Sequence, residues 1–100
     1  MTADNNSPIA VLGAGSWGTA LGLLLARNGY TVWLWGHDSA RMARLQHERI
    51  NAAHLPDMPF PPNLHIREDI TELSKDAQRF LIAVPSHAFR GTLAALKSGL

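Results

Sequence analysis

The chain carries three closely spaced glycines, Gly13-x-Gly15-x-x-Gly18, and this short stretch constrains its fold more than any other. The glycines directly follow a continuous apolar run, IAVL at residues 9–12, which is typical of a strand buried on both faces of a parallel sheet. Apolar residues then recur at helical spacing over residues 16–28. The order of these patterns predicts a buried strand, a tight turn and a helix.

Strand and helix patterns alternate along the rest of the chain. The strand candidates are YTVWLW (30–35), LHI (64–66) and RFLIAV (79–84), the last predicted to be a strongly buried strand. The helix candidates are residues 39–50, with Ser39 as cap, residues 69–73 and residues 87–97. Alternation of this kind implies right-handed crossovers between parallel strands. We therefore predict an α/β fold, a doubly wound (Rossmann) parallel sheet with helices on both faces, which these 100 residues leave incomplete.

Three of the predicted helices have an apolar face that we expect to lie against the sheet. These faces are Trp17, Ala20, Leu21 and Leu24 in the first helix, Met42, Leu45 and Ile50 in the second, and Phe89, Leu93 and Leu96 in the last. Between the second helix and the following strand lies NAAHLPDMPFPPN (51–63), with four prolines. No regular element is compatible with that proline density, so this segment is either an ordered connection or a mobile loop.

The glycine turn has the spacing of a dinucleotide-binding loop. Gly13 lets the backbone turn sharply, Gly15 lets it approach a pyrophosphate, and Gly18 lets the helix pack closely on the strand. The pyrophosphate would rest on free N–H groups near Ser16 and Trp17, favoured by the helix dipole. Such a motif alone is weak evidence, but here a strand precedes it, and an amphipathic helix and a second strand follow. The alternative is a tight turn without a ligand.

The end of the second strand indicates which cofactor is bound. An NAD-specific fold tends to place an acidic residue there, whereas this chain has Gly36, which leaves space beside it, and His37, a donor that can become cationic. Arg41 could add a fixed positive charge, and Asp38 remains a candidate ribose ligand. The alternatives are that Asp38 only caps the next helix and that His37 and Arg41 are only solvated. We predict that NADP is accepted alongside NAD.

The strand ending in AVPS, residues 83–86, would expose its carboxyl end where a nicotinamide ring lies in this architecture. Pro85 stiffens the backbone there, Ser86 is a candidate helix cap, and Phe89 could face the cofactor. The structural alternative makes Ser86 only a cap and Phe89 a core residue.

Composition excludes several classes of protein. The net charge is +1 and the basic residues are scattered, which argues against a nucleic-acid partner. The chain has no cysteine, so disulfides and thiolate chemistry are excluded, and no metal site is expected. The N-terminal stretch MTADNNSP is wrong for a signal peptide, and no apolar run approaches the length of a membrane span. We expect a soluble, cytoplasmic protein.

Four motifs together make the chain resemble the bacterial NAD(P)-dependent glycerol-3-phosphate dehydrogenases. They are GAGSWGTAL, ARNGYTVWLWGHD, INAAHLPDMPFPPNL and AVPSHAF, in the family's order and spacing. The resemblance implies reduction of dihydroxyacetone phosphate to sn-glycerol 3-phosphate with NADH or NADPH, which supplies the backbone of phospholipids. It also implies that Ser16 and Trp17 lie at the cofactor pyrophosphate beside the three glycines. By the same resemblance, His37 contacts the adenosine ribose or its 2′-phosphate, and Phe89 lies near the nicotinamide.

The family's catalytic lysines and its helical substrate domain come after the position at which this sequence stops, and neither Lys75 nor Lys97 matches those lysines. Residues 1–100 are therefore expected to be an incomplete N-terminal NAD(P)-binding domain, without catalytic residues, inactive alone and prone to self-association. The alternatives are another dehydrogenase, of the 3-hydroxyacid dehydrogenase or ketopantoate reductase type, a dinucleotide-sensing domain without chemistry, and a structural domain that binds no ligand. The oligomeric state is left open, with a homodimer as one option.

Overall fold

A computed structural model describes residues 8–98, so the polar N-terminal residues considered above lie outside the described part. The strands are β1 (Ile9–Leu12), β2 (Val32–Trp35), β3 (Leu64–Ile66) and β4 (Arg79–Ile82). The helices are α1 (Ser16–Arg27), α2 (Ser39–Glu48), α3 (Ile70–Asp76) and α4 (Ser86–Ser98). The side chain of Ser86, the predicted cap of the last helix, also lies outside the described part.

The described strands form one parallel sheet in the order β3-β2-β1-β4. Ile9 in β1 is paired with Val32 on one side and with Arg79 on the other, so β1 lies between its two partners. Along the chain, β2 and β3 are added in turn on one side of β1, and the chain then crosses over so that β4 is added on the other side. This topology confirms the predicted α/β fold with a doubly wound sheet.

The helices cover both faces of the sheet because successive side chains of a strand point to opposite faces. Val11 belongs to a buried cluster with residues of α1, α2 and the proline-rich connection, including Leu23 and Met42. Leu12 belongs to a second cluster on the other face, which includes Leu73 of α3 and Leu96 of α4. The core is therefore two apolar layers with the sheet between them.

The prediction of a strongly buried strand over residues 79–84 is wrong in two respects. The strand ends at Ile82, and within the described sheet β4 has a neighbour only on the β1 side. Leu81 is accordingly 39% exposed, and the other residues of β4 are only half-buried. An apolar run shows that a strand can be buried, but its position in the sheet decides how much of it is.

The predicted inward face of α1 is also wrong. Trp17 is 67% exposed and Leu24 is 57% exposed, while Ala20 and Leu21 are half-buried. The buried residues are Gly18, Thr19, Gly22, Leu23 and Ala26. A Cβ atom at Gly18 would overlap the carbonyl of Gly13, so the smallest residues, rather than the bulkiest, allow the helix to approach the strand.

Helix α2 begins at Ser39, the residue predicted as its cap, so its N-cap lies one residue earlier than predicted. Asp38 is the N-cap, and its carboxylate accepts a hydrogen bond from the backbone N–H of Arg41. The helix ends at Glu48, followed by Arg49 in the left-handed region with φ 57°. Met42 and Leu45 are buried as predicted, whereas Ile50 lies beyond the helix and is half-buried.

Hydrogen bonds to the backbone order the proline-rich connection, residues 51–63. Asn63 donates through Nδ2 to the carbonyl oxygens of Ala26 (2.7 Å) and Tyr30 (2.8 Å), which lie at and beyond the C-terminal end of α1. Arg49 donates to the carbonyl oxygens of Pro61 and Leu64, on either side of the end of the connection. Its guanidinium lies over the ring of Phe60. Of the two alternatives that the sequence left open, the structure favours an ordered connection.

Candidate cofactor site

A cavity of about 1090 Å³ opens at the carboxyl ends of β1, β2 and β4. Its walls are the glycine turn after β1, the segment after β2, the end of β4 and one face of α4. It lies where the chain changes from one side of β1 to the other. Ligands of doubly wound sheets bind at such a crossover point.

Most of the predicted site residues meet at this cavity. Those that line it are Gly13, Gly15, Ser16, Trp17, His37, Asp38 and Arg41. Two predicted residues do not line it. Gly18 lies behind the turn, in contact with Gly13, which is the packing position expected for it. Phe89 lies outside the lining and is 44% exposed, so it is not part of the buried core either.

The glycine turn makes the start of α1 accessible from the cavity. Gly13 has φ +122°, a conformation that side chains disfavour, and its N–H donates to the carbonyl of Trp35 at 2.7 Å. Gly15 is the N-cap residue of α1 and has no side chain with which to cap the helix. A Cβ atom at Gly15 would meet no atom within 4 Å, so there is open space beside this residue. The first N–H groups of the helix are thus suited to bind an anion.

The carbonyl oxygen of Ala14, inside the turn, accepts three side-chain hydrogen bonds. The donors are Arg41 Nη2 at 2.9 Å, Asn51 Nδ2 at 3.2 Å and Thr19 Oγ1 at 3.3 Å. Asn51 also donates to Thr19 Oγ1 at 2.9 Å. Sequence reasoning assigned no role to Asn51 or Thr19, because no local pattern indicates a contact between residues more than 30 positions apart.

The segment after β2 differs from prediction at Gly36. A Cβ atom there would come within 2.9 Å of Met42 Sδ and 3.0 Å of the Ala14 side chain, so the expected empty space is already filled. His37 and Asp38 are exposed at the rim of the cavity. Asp38 does cap α2, which was the structural alternative for this residue, and it also lines the cavity.

The far wall of the cavity is formed by β4 and α4. Ala83, Val84 and Pro85 follow β4 and line the cavity, and the nicotinamide expected at this strand end stays a prediction. In α4 the lining residues are His87, at the start of the helix, and then Ala88, Gly91, Thr92 and Ala95. The last four lie at positions i, i+3, i+4 and i+7, a helical stripe of small residues that leaves Phe89 on a different face. The spacing of this stripe is visible in the sequence, but an apolar periodicity assigns the bulky residues, such as Phe89, to the packed face.

Residues 8–98 contain neither a candidate metal site nor a candidate membrane-spanning helix. No group of three or more histidine, aspartate or glutamate side chains is arranged to hold a metal ion there. No helix in the same range is both long and apolar enough to cross a membrane.

Comparison with known proteins places the site in context. Residues 8–100 match the family described as NAD-dependent glycerol-3-phosphate dehydrogenase N-terminus. The glycerol-3-phosphate dehydrogenase [NAD(P)+] of Klebsiella pneumoniae strain 342 is 51% identical over 92 residues, which are 92% of this chain and 27% of that protein. The Salmonella newport enzyme of the same name is 47% identical over 94 residues, 94% of this chain and 28% of that one.

A solved structure shows the same similarity in three dimensions. The crystal structure of glycerol-3-phosphate dehydrogenase from Coxiella burnetii superposes with a TM-score of 0.90 at 42% identity. The match covers 95% of this chain and 29% of that one. The chain therefore spans less than a third of the length of these relatives.

Proposed function

Since the chain belongs to the family of NAD-dependent glycerol-3-phosphate dehydrogenase N-termini, we propose that residues 1–100 are the NAD(P)-binding portion of such an enzyme. The enzyme would interconvert dihydroxyacetone phosphate and sn-glycerol 3-phosphate by hydride transfer and so supply the backbone of glycerophospholipids. The observation that supports this proposal most is the open space beside Gly15, at the start of α1 and inside the cavity at the crossover point of the sheet.

The proposed arrangement of the cofactor follows the walls of the cavity. The pyrophosphate would lie at the backbone N–H groups of Gly15, Ser16 and Trp17, with Gly13 and Gly18 shaping the turn. The adenosine ribose, with or without a 2′-phosphate, would lie at His37, Asp38 and Arg41. The nicotinamide would lie towards the end of β4. Phe89 is left out of this arrangement because it does not line the cavity.

The described residues bind and orient the cofactor in this proposal, and the cofactor supplies the hydride. Reduction of a carbonyl also needs a group that stabilises the developing alkoxide or delivers a proton to it. No lysine is among the described residues that line the cavity. The group that acts on the substrate oxygen is therefore proposed to come from another part of the enzyme.

The absence of cysteine also fits the reducing cytoplasm, which we propose as its compartment.

Isothermal titration of the full-length protein with NADH and NADPH tests the binding proposal. Gly15→Asp adds a carboxylate in the open space proposed for the pyrophosphate, and we expect it to abolish measurable binding of both cofactors. Ala94→Asp adds the same charge at an exposed position of α4 away from the cavity and should bind like the wild type. No heat from either cofactor with the wild type would contradict the proposal.

A turnover assay with dihydroxyacetone phosphate tests the reaction separately. Oxidation of NADH or NADPH that depends on this substrate is expected. Cofactor binding without turnover would instead support the dinucleotide-sensing alternative.

A further inference from the structure

Asn51 is a buried polar residue that has no role in the glycine motif or in the proposed function. It begins the proline-rich connection and is only 1% exposed. Its Nδ2 donates both to the carbonyl oxygen of Ala14 and to Oγ1 of Thr19, which is itself fully buried. Both hydrogens of the side-chain amide are thus directed at the glycine turn and the first helix.

The contacts at Ala14 fix the orientation of one peptide group. Its carbonyl oxygen is held by donors from three separate parts of the fold: Thr19 in α1, Arg41 in α2 and Asn51 in the connection. A carbonyl rotates only if it gives up such hydrogen bonds, and leaving the buried Asn51 amide unpaired would be costly. These three hydrogen bonds therefore fix the plane of the Ala14–Gly15 peptide.

The same peptide group carries the N–H of Gly15. In a trans peptide the N–H points opposite to the carbonyl, so a carbonyl directed at Asn51 aims the Gly15 N–H away from it. Gly15 lines the cavity with open space beside it. Hydrogen bonds to a carbonyl, here including one from a guanidinium, also polarise the amide and make its N–H a stronger donor.

We propose that Asn51 is a positioning residue, which with Thr19 and Arg41 holds the Gly15 N–H ready for the pyrophosphate of the cofactor. The proposal rests on the proposed function, because it requires a pyrophosphate at the turn. Asn51 does not touch the ligand in this arrangement. It lowers the cost of binding by fixing the donor before the ligand arrives.

Asn63 offers a matched control from the same connection. Its Nδ2 also donates to two acceptors, the carbonyl oxygens of Ala26 and Tyr30, but these lie at the opposite end of α1 from the turn. Replacing Asn51 or Asn63 by alanine removes two hydrogen bonds in either case. If Asn51 had a purely structural role, the two variants should have similar ligand affinities. If it positions the turn, only Asn51→Ala should weaken binding.

The experiment compares wild type, Asn51→Ala and Asn63→Ala of the full-length protein by titration with ADP-ribose, NADH and adenosine. We expect Asn51→Ala to lose about five- to tenfold in affinity for ADP-ribose and NADH, the effect of about one hydrogen bond. Its affinity for adenosine, which has no pyrophosphate, should stay within about twofold of wild type. Asn63→Ala should bind all three ligands like the wild type, even if its unfolding temperature falls.

Thr19→Val keeps the experiment informative if Asn51→Ala does not fold. It removes the hydroxyl that accepts from Asn51 and donates to Ala14, and we expect the same ligand pattern with a smaller loss. Equal losses for adenosine and ADP-ribose, or equal behaviour of Asn51→Ala and Asn63→Ala, would overturn the inference. Absence of ADP-ribose and NADH binding by the wild type would instead overturn the proposed function.

Discussion

Arg41 Nη2 donates a hydrogen bond of 2.9 Å to the carbonyl oxygen of Ala14. The residue predicted to attract the 2′-phosphate of the cofactor is therefore also bound to the turn proposed for its pyrophosphate. The Arg41 side chain would thus affect the binding of both the 2′-phosphate and the pyrophosphate of the cofactor. This connection separates the expected effects of substitutions at Arg41 and at its neighbour His37.

Replacement of Arg41 by methionine should weaken the binding of both cofactors. NADH binding is expected to fall about fivefold, because a charge-assisted hydrogen bond to the turn is lost, and NADPH binding should fall further. Titration with each cofactor measures the two losses. An unchanged affinity for NADH would show that the contact with Ala14 contributes nothing to binding.

Replacement of His37 by alanine should discriminate between the cofactors. His37 is exposed at the rim of the cavity and makes no described contact with the turn, so we expect a loss of about three- to tenfold for NADPH and little change for NADH. The ratio of the two dissociation constants is the measurement. Equal losses would mean that His37 does not recognise the 2′-phosphate.

Gly18 and Gly22 both lie on the buried side of α1 and should respond oppositely to a methyl group. A Cβ atom at Gly18 would overlap the Gly13 carbonyl, so Gly18→Ala should destabilise the fold by about 2 kcal/mol or more. At Gly22 the nearest atoms are side-chain carbons of Leu64 and Val32 at 3.5 Å, an ordinary contact, and alanine favours helix.

Gly22→Ala should therefore be neutral or stabilise by up to about 1 kcal/mol. Denaturant unfolding followed by tryptophan fluorescence compares the two variants. Similar losses at both glycines would contradict the close approach of helix and turn at Gly18.

Leu23 and Leu24 are adjacent in sequence but differ in burial. Leu23 is 1% exposed within the core, and truncation to alanine should cost about 3 kcal/mol of unfolding free energy. Leu24→Ala should change it by less than about 0.5 kcal/mol, because most of that side chain is already in solvent. The same unfolding measurement decides, and a larger loss at Leu24 would restore the inward face that periodicity predicted.

The sequence was sufficient to predict the parts of this fold that depend on local order. The bounds of β1 and β3, the glycine turn and the alternation of strands and helices all follow from short-range patterns. The inward face of α1 could not be obtained in this way. Periodicity assigns the bulkiest residues to the core, but at Gly18 the closeness of the helix to the turn decides which face is buried.

The candidate site was predictable to a similar extent. Residues next to a strand end, such as Gly15 and His37, could be assigned to the cavity because parallel strands end at one edge of the sheet. The role of Asn51 depends on a tertiary contact with a carbonyl, which leaves no trace in the side-chain pattern. Phe89 shows the converse limit, since one helical position separates a lining residue from an exposed one.

The central position of β1 has a consequence for the order of folding. Ile9 pairs with Val32 on one side and with Arg79 on the other, and the second pairing closes a loop about three times as long. The longer closure costs roughly 1 kcal/mol more chain entropy before any contact compensates for it. Pairing of β1 with β2 should therefore precede the docking of β4, as contact-order arguments imply. Because the cavity needs both neighbours of β1, a newly made chain would acquire its ligand-binding capacity late in folding.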